Sequence, residues 1–397
     1  MNFVKRQSVA LVWAQFAAYH TDRCEAVARR LAGRADVLAV EVATTSKDYA
    51  WERSADVPGA RKITLFPGQS FDEISPFRRY RAMFAAVRRS DFVAIGLSYG
   101  ETDAILLSWT LRLLGKKVIV FSESKFDDKQ RSVWHELLKS MILGCYSAAI
   151  VGAKRHIDYF RFLQFRRRPI LPGYDAVNID RVREQAGNAP ALSNVDYDMR
   201  PFVFVGRFVK KKNLEKLLEG YACYLALGGP PARRLILVGS GDEETILRRR
   251  CDDLDITHLV DFTGFLTAAE VSRTLASSLA LMLVSSEEQW GLVVNEALAV
   301  GLPVVVSHEV GSRDALVRNL VNGFVVESNS PAGIGNAMLL LATDQALWER
   351  MATASYGRAW LGDTERIADA VESLLYPEGP AAAARIALFM SELEHEA

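Results

Sequence analysis

The chain lacks long apolar runs. No stretch of its 397 residues reaches the roughly 18 consecutive apolar residues that a membrane-spanning helix needs, although hydrophobic residues make up 50% of the sequence. The short apolar run near the N-terminus ends at Gln15 without a small-residue cleavage pattern, so we interpret it as a first strand and not as a signal peptide. Charged residues make up 24% of the chain, which is typical of a globular protein.

Cysteine is scarce, and neither sign of charge is in excess. The four cysteines lie far apart and form no C-x-x-C pair, so we expect them to be reduced and structural in a cytoplasmic protein. No histidine has the spacing of a metal ligand, so no metal site is expected. Lys plus Arg and Asp plus Glu number 48 each, which argues against a nucleic acid as partner.

Short apolar runs alternate with helical patterns along the whole chain, which predicts parallel sheets covered by helices on both faces. A segment rich in Asn, Ala, Asp and Pro, residues 185–201, interrupts this alternation. We therefore predict an α/β fold of two doubly wound, Rossmann-like domains facing a central cleft. The predicted domains are 1–195 and 196–376, and one expectation for the tail, 377–397, is that it packs back on the first domain.

Polar residues follow a predicted strand, Phe202–Val205, in the second half of the chain. Arg207 lies at the exit of this strand and Lys212 at the start of the next helical pattern. In an open parallel sheet, ligands bind at the carboxyl ends of the strands. An arginine fork together with a lysine point charge suits a diphosphate, but a solvated basic turn accounts equally well for these two residues alone.

Two glycine-containing turns follow the next two predicted strands. Gly239 lies in residues 238–242, where a backbone without a Cβ can approach a ligand or simply reverse the chain. Phe265 and Leu266 end residues 262–266, whose backbone edge can pair with a flat base or end an ordinary strand. Each of these two signals is weak on its own.

The most specific segment is 285–297, between a predicted strand and a helix. Glu288 and Glu296 have seven residues between them, so a helix that begins near Gly291 places one in the preceding loop and the other in its second turn. Carboxylates accept hydrogen bonds from polyols, so one can hold sugar hydroxyls and the other a ribose diol. Acidic residues also occur near helix starts for stability alone, but we prefer the binding interpretation because the other segments converge on the same sheet edge.

These segments, in this order, resemble the retaining glycosyltransferases of family four over about Phe202–Val326, and more loosely in the N-terminal half. The resemblance implies a metal-independent enzyme that binds the donor diphosphate through Arg207 and Lys212, the ribose through Glu296 and the donor sugar through Glu288. It also implies that the backbone near Phe265 and Leu266 faces the base. The other predicted donor-binding residues are Gly239, Trp290, Gly291, Leu292 and Val293.

The N-terminal half departs from the family pattern in two places. The segment 14–20 stands where members often have a glycine-rich loop, and residues 121–124 stand at a strand exit where a histidine is common. We therefore name His20 and Glu123 as candidate catalytic residues that either serve the acceptor side or contact the transferred sugar. Glu288 is the third catalytic candidate. Alternatively, His20 is a helix-start residue without a chemical role, and Glu123 has a capping or loop role.

Two D-x-D sequences, 196–198 and 253–255, are of the kind that binds a metal in other transferases, but neither follows a buried strand, so we interpret both as surface acids. The basic segments 78–81 with 88–89, and 166–168, are solvated helix faces or sites of attraction to anionic lipids or a lipid-linked acceptor. The second interpretation adds a peripheral contact with the inner membrane to the cytoplasmic location.

The sequence therefore predicts a hexosyl- or N-acetylhexosaminyltransferase that uses a nucleoside-diphosphate sugar, with uridine favoured as the base. Its acceptor would be a glycan, a lipid-linked molecule or a small molecule, and by resemblance we favour bacterial polysaccharide biosynthesis. Two alternatives are a sugar-nucleotide epimerase on the same fold and a non-catalytic nucleotide-sugar-binding module. An epimerase would need no acceptor, and a binding module would bind nucleotide without turnover.

Overall fold

A computed structural model describes residues 6–46, 56–128, 131–188, 190–228 and 232–394. The strands are β1 Gln7–Trp13, β2 Ala35–Thr45, β3 Arg61–Ser70, β4 Phe92–Ile95, β5 Lys117–Ser122, β6 Ala148–Val151, β7 Ile170–Pro172, β8 Phe202–Val205, β9 Leu235–Val238, β10 Val260–Gly264, β11 Ala280–Leu283, β12 Val304–Ser307 and β13 Gly323–Val326.

The α-helices are α1 Ala18–Arg30, α2 Pro76–Val87, α3 Thr102–Leu113, α4 Val133–Ile142, α5 Lys154–Phe162, α6 Ile179–Gln185, α7 Ala191–Asn194, α8 Leu214–Ala226, α9 Glu244–Asp253, α10 Ala268–Ala276, α11 Val293–Ala299, α12 Arg313–Leu316, α13 Pro331–Thr343, α14 Gln345–Arg358, α15 Glu365–Leu375 and α16 Pro380–Glu394. Within the described ranges, no helix is long and apolar enough to cross a membrane.

The chain divides into two compact units, each built on its own parallel sheet. The first unit comprises the described residues of 6–126, 131–177 and 364–394, and its sheet has the strand order β3-β2-β1-β4-β5-β6-β7. The buried residues of β1 alternate between two apolar clusters, since Ala10 and Val12 face one side of the sheet and Val9 and Leu11 the other. A sheet that is apolar on both faces needs helices on both, as predicted.

The second unit comprises the described residues of 178–363 together with 127–128, and its sheet has the order β10-β9-β8-β11-β12-β13. The chain runs outward from β8 through β9 to β10 and then returns to pair β11 with the other side of β8. The order of the strands therefore reverses between β8 and β11, which is the position where doubly wound sheets bind ligands. These two sheets confirm the predicted α/β fold with two doubly wound units.

The first domain boundary differs from the sequence-based expectation of 195/196. The first unit ends at Val177, and α6 belongs to the second unit, where the Arg183 guanidinium donates to the Ala299 carbonyl oxygen at 2.9 Å. Farther along, the buried Arg200 donates to the carbonyl oxygens of Ala276 and Ser278, at 3.0 Å each. A segment with the composition of a linker is thus fixed to the second unit by arginine hydrogen bonds.

The second boundary also differs, because the chain returns to the first unit at Thr364 and not after residue 376. Ile367 and Val371 of α15 are fully buried in the same apolar cluster as Val9 and Leu11 of β1. Asp369 accepts hydrogen bonds from Arg30 of α1 and from Arg385 of α16. Both C-terminal helices are therefore part of the first unit, and α15 supplies some of its core.

We predict that Ile367→Ala destabilises the first unit by about 2–5 kcal/mol, because it leaves a cavity under the sheet. The matched control is Leu388→Ala on α16, whose side chain is 57% exposed and whose loss should change the free energy of unfolding by about 0.5 kcal/mol or less. Urea unfolding of both variants measures the difference. Equal small effects would show that α15 is not a part of the core.

Candidate donor site at the carboxyl edge of the second sheet

The first site segment leaves β8 and enters α8. Arg207 follows the strand and is exposed, and residues 210–212 form a short 3-10 turn. Asn213 then adopts a left-handed conformation with φ of 59° and begins α8. Its side-chain amide donates to the carbonyl oxygens of Val284, at 3.0 Å, and Ser328, at 2.7 Å. Asn213 thus fixes the turn of Lys210–Lys212, which we call the basic turn, to the end of β11.

The exits of β8, β9 and β10 are joined by backbone hydrogen bonds. The Phe208 N–H donates to the Ser240 carbonyl oxygen at 2.8 Å, and the Gly239 N–H donates to the Gly264 carbonyl oxygen at 2.9 Å. Gly239 has φ of 128°, and a Cβ at this position would lie 2.0 Å from the Gly206 carbonyl oxygen. A side chain at this position would therefore prevent the exits of β8 and β9 from approaching each other.

The segment after β11 places Glu288 against the basic turn. The Lys212 ammonium donates to Glu288 Oε2, and the Ser285 hydroxyl donates to the same oxygen at 3.2 Å. The side chains of Lys212 and Glu288 are 15% and 12% exposed, so the pair is partly shielded from water. The Ser286 N–H donates to the Lys211 carbonyl oxygen at 2.9 Å, which joins the two segments a second time.

Helix α11 begins at Val293, two residues later than the expected start near Gly291, and it has seven residues. Glu296 therefore lies in its first turn and not in the second, with its side chain half-buried. Leu292 caps the helix, and both Leu292 and Val293 are half-buried. Glu296 is placed on the segment that also holds Glu288, at the same sheet edge.

Trp290 and Gly291 shape the loop between Glu288 and α11. The Trp290 side chain is buried, and its indole N–H donates to the Asn295 carbonyl oxygen Oδ1 at 2.9 Å. Gly291 has φ of 93°, and a Cβ there would lie 2.8 Å from Leu283 Cδ2. The buried Trp290 side chain therefore fixes the loop. Only the backbone of Trp290 is then a candidate for contact with a donor.

The structure thus brings Lys212 and Glu288 into contact and places Arg207, Gly239 and Glu296 on segments that share the same edge. Phe265, at 64% exposure, and the half-buried Leu266 follow β10 farther along this edge. Neither D-x-D sequence is there, since one flanks a 3-10 turn at 197–199 and the other ends α9.

Sequence reasoning missed the residues that position the site. Asn213, Ser285 and Asn295 each orient a segment that holds predicted site residues. The signal for Asn213 was available, because asparagine directly before a helical pattern is a common helix start. Nothing in the sequence indicated that Ser285 or Asn295 would contact Glu288 or Trp290, since these contacts depend on the loop conformation.

In the first unit, His20 caps α1. Its Nδ1 accepts a hydrogen bond from the Ala17 N–H at 2.9 Å, and its ring packs 5.1 Å from the Trp13 ring, centroid to centroid. Burial, reinforced by the positive charge of Arg23, holds the pKa of His20 well below its usual value. The structure therefore gives His20 the helix-start role, and its assignment to the acceptor side stays a prediction.

Glu123 follows β5 and lies near Asp175, which forms a buried ion pair with Arg23. Arg23 is fully buried, donates through Nε to the Ala176 carbonyl oxygen at 3.1 Å and lies 3.7 Å from Asp175. Burial and, next, the charge of Glu123 raise the pKa of Asp175 well above its usual range. Glu123 is thus part of an acidic pair, and its catalytic role stays a prediction.

Residues 193–358 match the model of the family described as glycosyl transferases group 1. The match includes the four candidate site segments, which follow β8, β9, β10 and β11. It confirms the resemblance inferred from the motifs between Phe202 and Val326.

Two curated relatives match parts of the chain. An uncharacterized glycosyltransferase of Methanocaldococcus jannaschii is 32% identical over 140 residues, which are 35% of each chain. A D-inositol 3-phosphate glycosyltransferase of Thermobifida fusca is 27% identical over 216 residues, which are 52% of this chain and 49% of the relative. The chain thus spans half or less of the length of these relatives.

A solved structure of HepE from Anabaena, in complex with UDP and glucose, matches 94% of this chain and 100% of its own. The TM-score is 0.68 and the sequence identity 15%. At this identity the likeness establishes the fold, which is that of GT-B glycosyltransferases, and nothing about the substrate.

We predict that Gly239→Ala weakens nucleotide binding and lowers the melting temperature, since its Cβ would meet a backbone oxygen that cannot move without disturbing β8. The control is Gly357→Ala in α14, where a Cβ meets nothing within 4 Å and where alanine should stabilise the helix by about 0.5–1 kcal/mol. Thermal unfolding with and without UDP measures both effects. If Gly239→Ala binds UDP as tightly as the wild type, nucleotide binding does not need the close approach of the segments after β8 and β9.

We predict that His20 makes folding less favourable as the pH falls below about 6.5. Its folded-state pKa is depressed, so only the unfolded chain takes up the proton, and stability decreases towards lower pH. His20→Asn keeps an acceptor for the Ala17 N–H but does not titrate, so the stability difference from wild type should change by up to about 1.4 kcal/mol per pH unit.

Urea unfolding between pH 5.5 and 7.5, spanning about one unit on either side of the usual histidine pKa, measures this difference. Comparing the two proteins cancels the opposite contribution of Asp175, whose pKa is raised. His258→Asn, at an exposed position, is the control for the loss of a histidine. A pH dependence that is identical in wild type and His20→Asn would mean that His20 is not held neutral.

Proposed function

We propose, from the match of residues 193–358 to the model of the glycosyl transferases group 1 family, that this chain transfers a sugar from a nucleoside diphosphate to an acceptor hydroxyl. The sugar is a hexosyl or N-acetylhexosaminyl unit. The transfer retains the anomeric configuration and needs no metal ion. The second unit holds the donor.

The observation that carries the proposal is the contact between Lys212 and Glu288 where the strand order of the second sheet reverses. One segment supplies two cations, Arg207 and Lys212, and the other supplies two carboxylates, Glu288 and Glu296. A nucleoside-diphosphate sugar has the complementary pattern, with a doubly charged diphosphate between two groups of hydroxyls. The cations suit the diphosphate, and the carboxylates suit the hydroxyls on either side.

Lys212 would change its partner when the donor binds. In the structure, the Lys212 ammonium neutralises Glu288, so neither charge is left unpaired in this partly shielded place. A diphosphate offers the ammonium more negative charge, and Glu288 is then released to accept hydrogen bonds from the sugar hydroxyls. In this way one ion pair serves both parts of the donor.

The chemistry follows from the charge on the leaving group. The bond between the anomeric carbon and the diphosphate oxygen breaks, the acceptor hydroxyl oxygen bonds to the same face of the sugar, and its proton passes to the departing phosphate oxygen. Arg207 and Lys212 stabilise the negative charge that develops on the diphosphate. This is the task that a metal ion has in other transferases.

We favour UDP as the nucleotide. The support is that HepE, whose fold is the same, has been solved with UDP and glucose bound. In this chain the base would face the backbone of residues 264–266, where Phe265 is exposed, and backbone groups can pair with a base without involving a side chain. Glu296 would accept hydrogen bonds from the ribose diol.

The acceptor is proposed to be a glycan, a lipid-linked molecule or a small molecule, selected by the first unit, where Glu123 and His20 are the candidate contacts. A lipid-linked acceptor implies a peripheral contact with the cytoplasmic face of the membrane. Arg79, in the basic segment 78–81, is not available for that contact, because it is buried and its guanidinium donates to Asp103 at 2.7 Å. Arg166 and Arg167 are exposed and remain available.

We predict that Lys212→Met and Glu288→Gln each lower the release of UDP from UDP-sugars by roughly 100-fold or more, because each removes a charged partner of the donor. Lys210→Met is the matched control, since Lys210 lies in the same basic turn but is exposed, and its activity should stay within about twofold of wild type. Assays over a panel of sugar nucleotides measure this release, with and without acceptors.

Excess EDTA should leave the rate unchanged, because the cations that stabilise the leaving group are side chains. Full turnover in both Lys212→Met and Glu288→Gln would refute the site, and loss of activity in EDTA that added Mg²⁺ restores would refute metal independence. Interconversion of two sugar nucleotides without an acceptor would identify an epimerase. Binding of UDP without turnover of any donor would identify a binding module.

A further inference from the structure

Helix α4 of the first unit packs with its polar side inward. Glu136 is the one buried residue of α4, all of which the structure describes. Its carboxylate accepts hydrogen bonds from the Tyr159 hydroxyl at 2.5 Å and the Lys139 ammonium at 2.8 Å. The Ser140 hydroxyl donates to the Leu163 carbonyl oxygen at 2.8 Å. Hydrogen bonds, and not apolar burial, therefore hold this helix on the first unit.

The opposite side of α4 is apolar and faces the solvent. Its residues recur at the spacing of one helical face and are 53–81% exposed. We call them the apolar face of α4: Val133, Trp134, Leu137, Leu138 and Met141. A surface helix of a globular protein normally has the reverse arrangement, and a contiguous exposed apolar patch marks an interaction site.

The apolar surface continues onto α3. Leu106, Trp109 and Leu113 recur at helical spacing and are 43%, 42% and 82% exposed. The Trp109 ring lies 3.9 Å from the position of a Cβ at Gly144, two residues beyond the end of α4. The two helices thus contribute neighbouring parts of one apolar surface, with tryptophan in both.

Lys and Arg outnumber the acids around this surface, although the exposed Asp158 beside it pairs with Arg161 at 3.1 Å. The segments 102–117, 131–142 and 159–168, all within the described residues, contain nine Lys and Arg but only two acids, Asp103 and Glu136. Both acids are buried. Exposed cations in these segments include Arg112 and Arg166. A chain with no net charge therefore concentrates positive charge beside its exposed apolar residues.

We propose that the apolar face of α4, continued by α3, inserts into the surface of a bilayer that contains anionic lipids. An interfacial helix combines an apolar face with lysine and arginine at its edges, and tryptophan is favoured at the depth of the lipid headgroups. The cations at the rim attract the anionic headgroups.

A second copy of this chain fits the surface less well. A two-fold symmetric interface would place the same positive rim of each copy against that of the other, and like charges across an interface oppose association. A negatively charged lipid surface has the complementary charge. It also has no fixed shape, so it can accommodate the convex surface of a helix.

This inference rests on the proposed function in one respect: a lipid-linked acceptor would require the chain to reach a membrane surface. Binding to vesicles is measured without donor or acceptor, so its failure would leave the proposed transfer reaction intact. Conversely, a failure of the transferase assays would not affect the vesicle measurement.

The test is co-sedimentation of the full chain with vesicles of phosphatidylcholine alone or of equal parts of phosphatidylcholine and phosphatidylglycerol. We expect binding to the mixed vesicles that decreases at high salt, and much weaker binding to phosphatidylcholine. Trp134→Gln combined with Leu138→Gln should lower the affinity by roughly tenfold or more, because two inserting side chains are lost. Unchanged melting temperature and circular dichroism will show that this variant is folded.

The matched control is Leu388→Gln, which replaces an exposed leucine of α16 in the same unit and should bind the vesicles like the wild type. Brominated lipids should quench tryptophan fluorescence in the wild type, and less in Trp134→Phe. The proposal is overturned if the wild type does not bind the mixed vesicles, or if the double variant binds them equally well. It is also overturned if light scattering shows a wild-type dimer that the double variant disrupts, since that would assign the face to a second copy.

Discussion

The arrangement of the candidate site in the second unit depends on the ion pair between Lys212 and Glu288. Two charges in a partly shielded place are tolerable only while each has a partner, since removing one leaves the other unpaired at a cost of several kcal/mol. The pair joins the segment after β8 to the segment after β11. These are the two strands between which the sheet reverses its order, and the pair therefore marks where a charged ligand can enter as a third partner.

The rest of the edge keeps this pair in place. Asn213 holds the basic turn on β11, Ser285 donates to the carboxylate, and the Gly311 N–H donates to the Glu288 carbonyl oxygen at 3.2 Å. Gly239 allows the neighbouring strand exits to approach closely. Many small contacts thus fix the loops of the candidate site.

The sequence predicted a parallel sheet for the second unit, because short apolar runs that alternate with helical patterns are typical of buried strands. It also named Lys212 and Glu288 as donor-binding candidates, but it did not predict their contact with each other. Its domain boundaries differ from the bounds of the compact units at α6 and α15, whose assignment depends on tertiary contacts such as Arg183 with Ala299 and Ile367 in the core. It also missed the inward polar side of α4, because the period of a helix does not show which side is buried.

The most direct test of the account is a crystal structure of the full chain with UDP. The account predicts that the Lys212 ammonium leaves Glu288 and lies within hydrogen-bonding distance of a phosphate oxygen, with Arg207 also on the diphosphate and Glu296 on the ribose. A structure in which UDP binds elsewhere while the contact between Lys212 and Glu288 persists would contradict it.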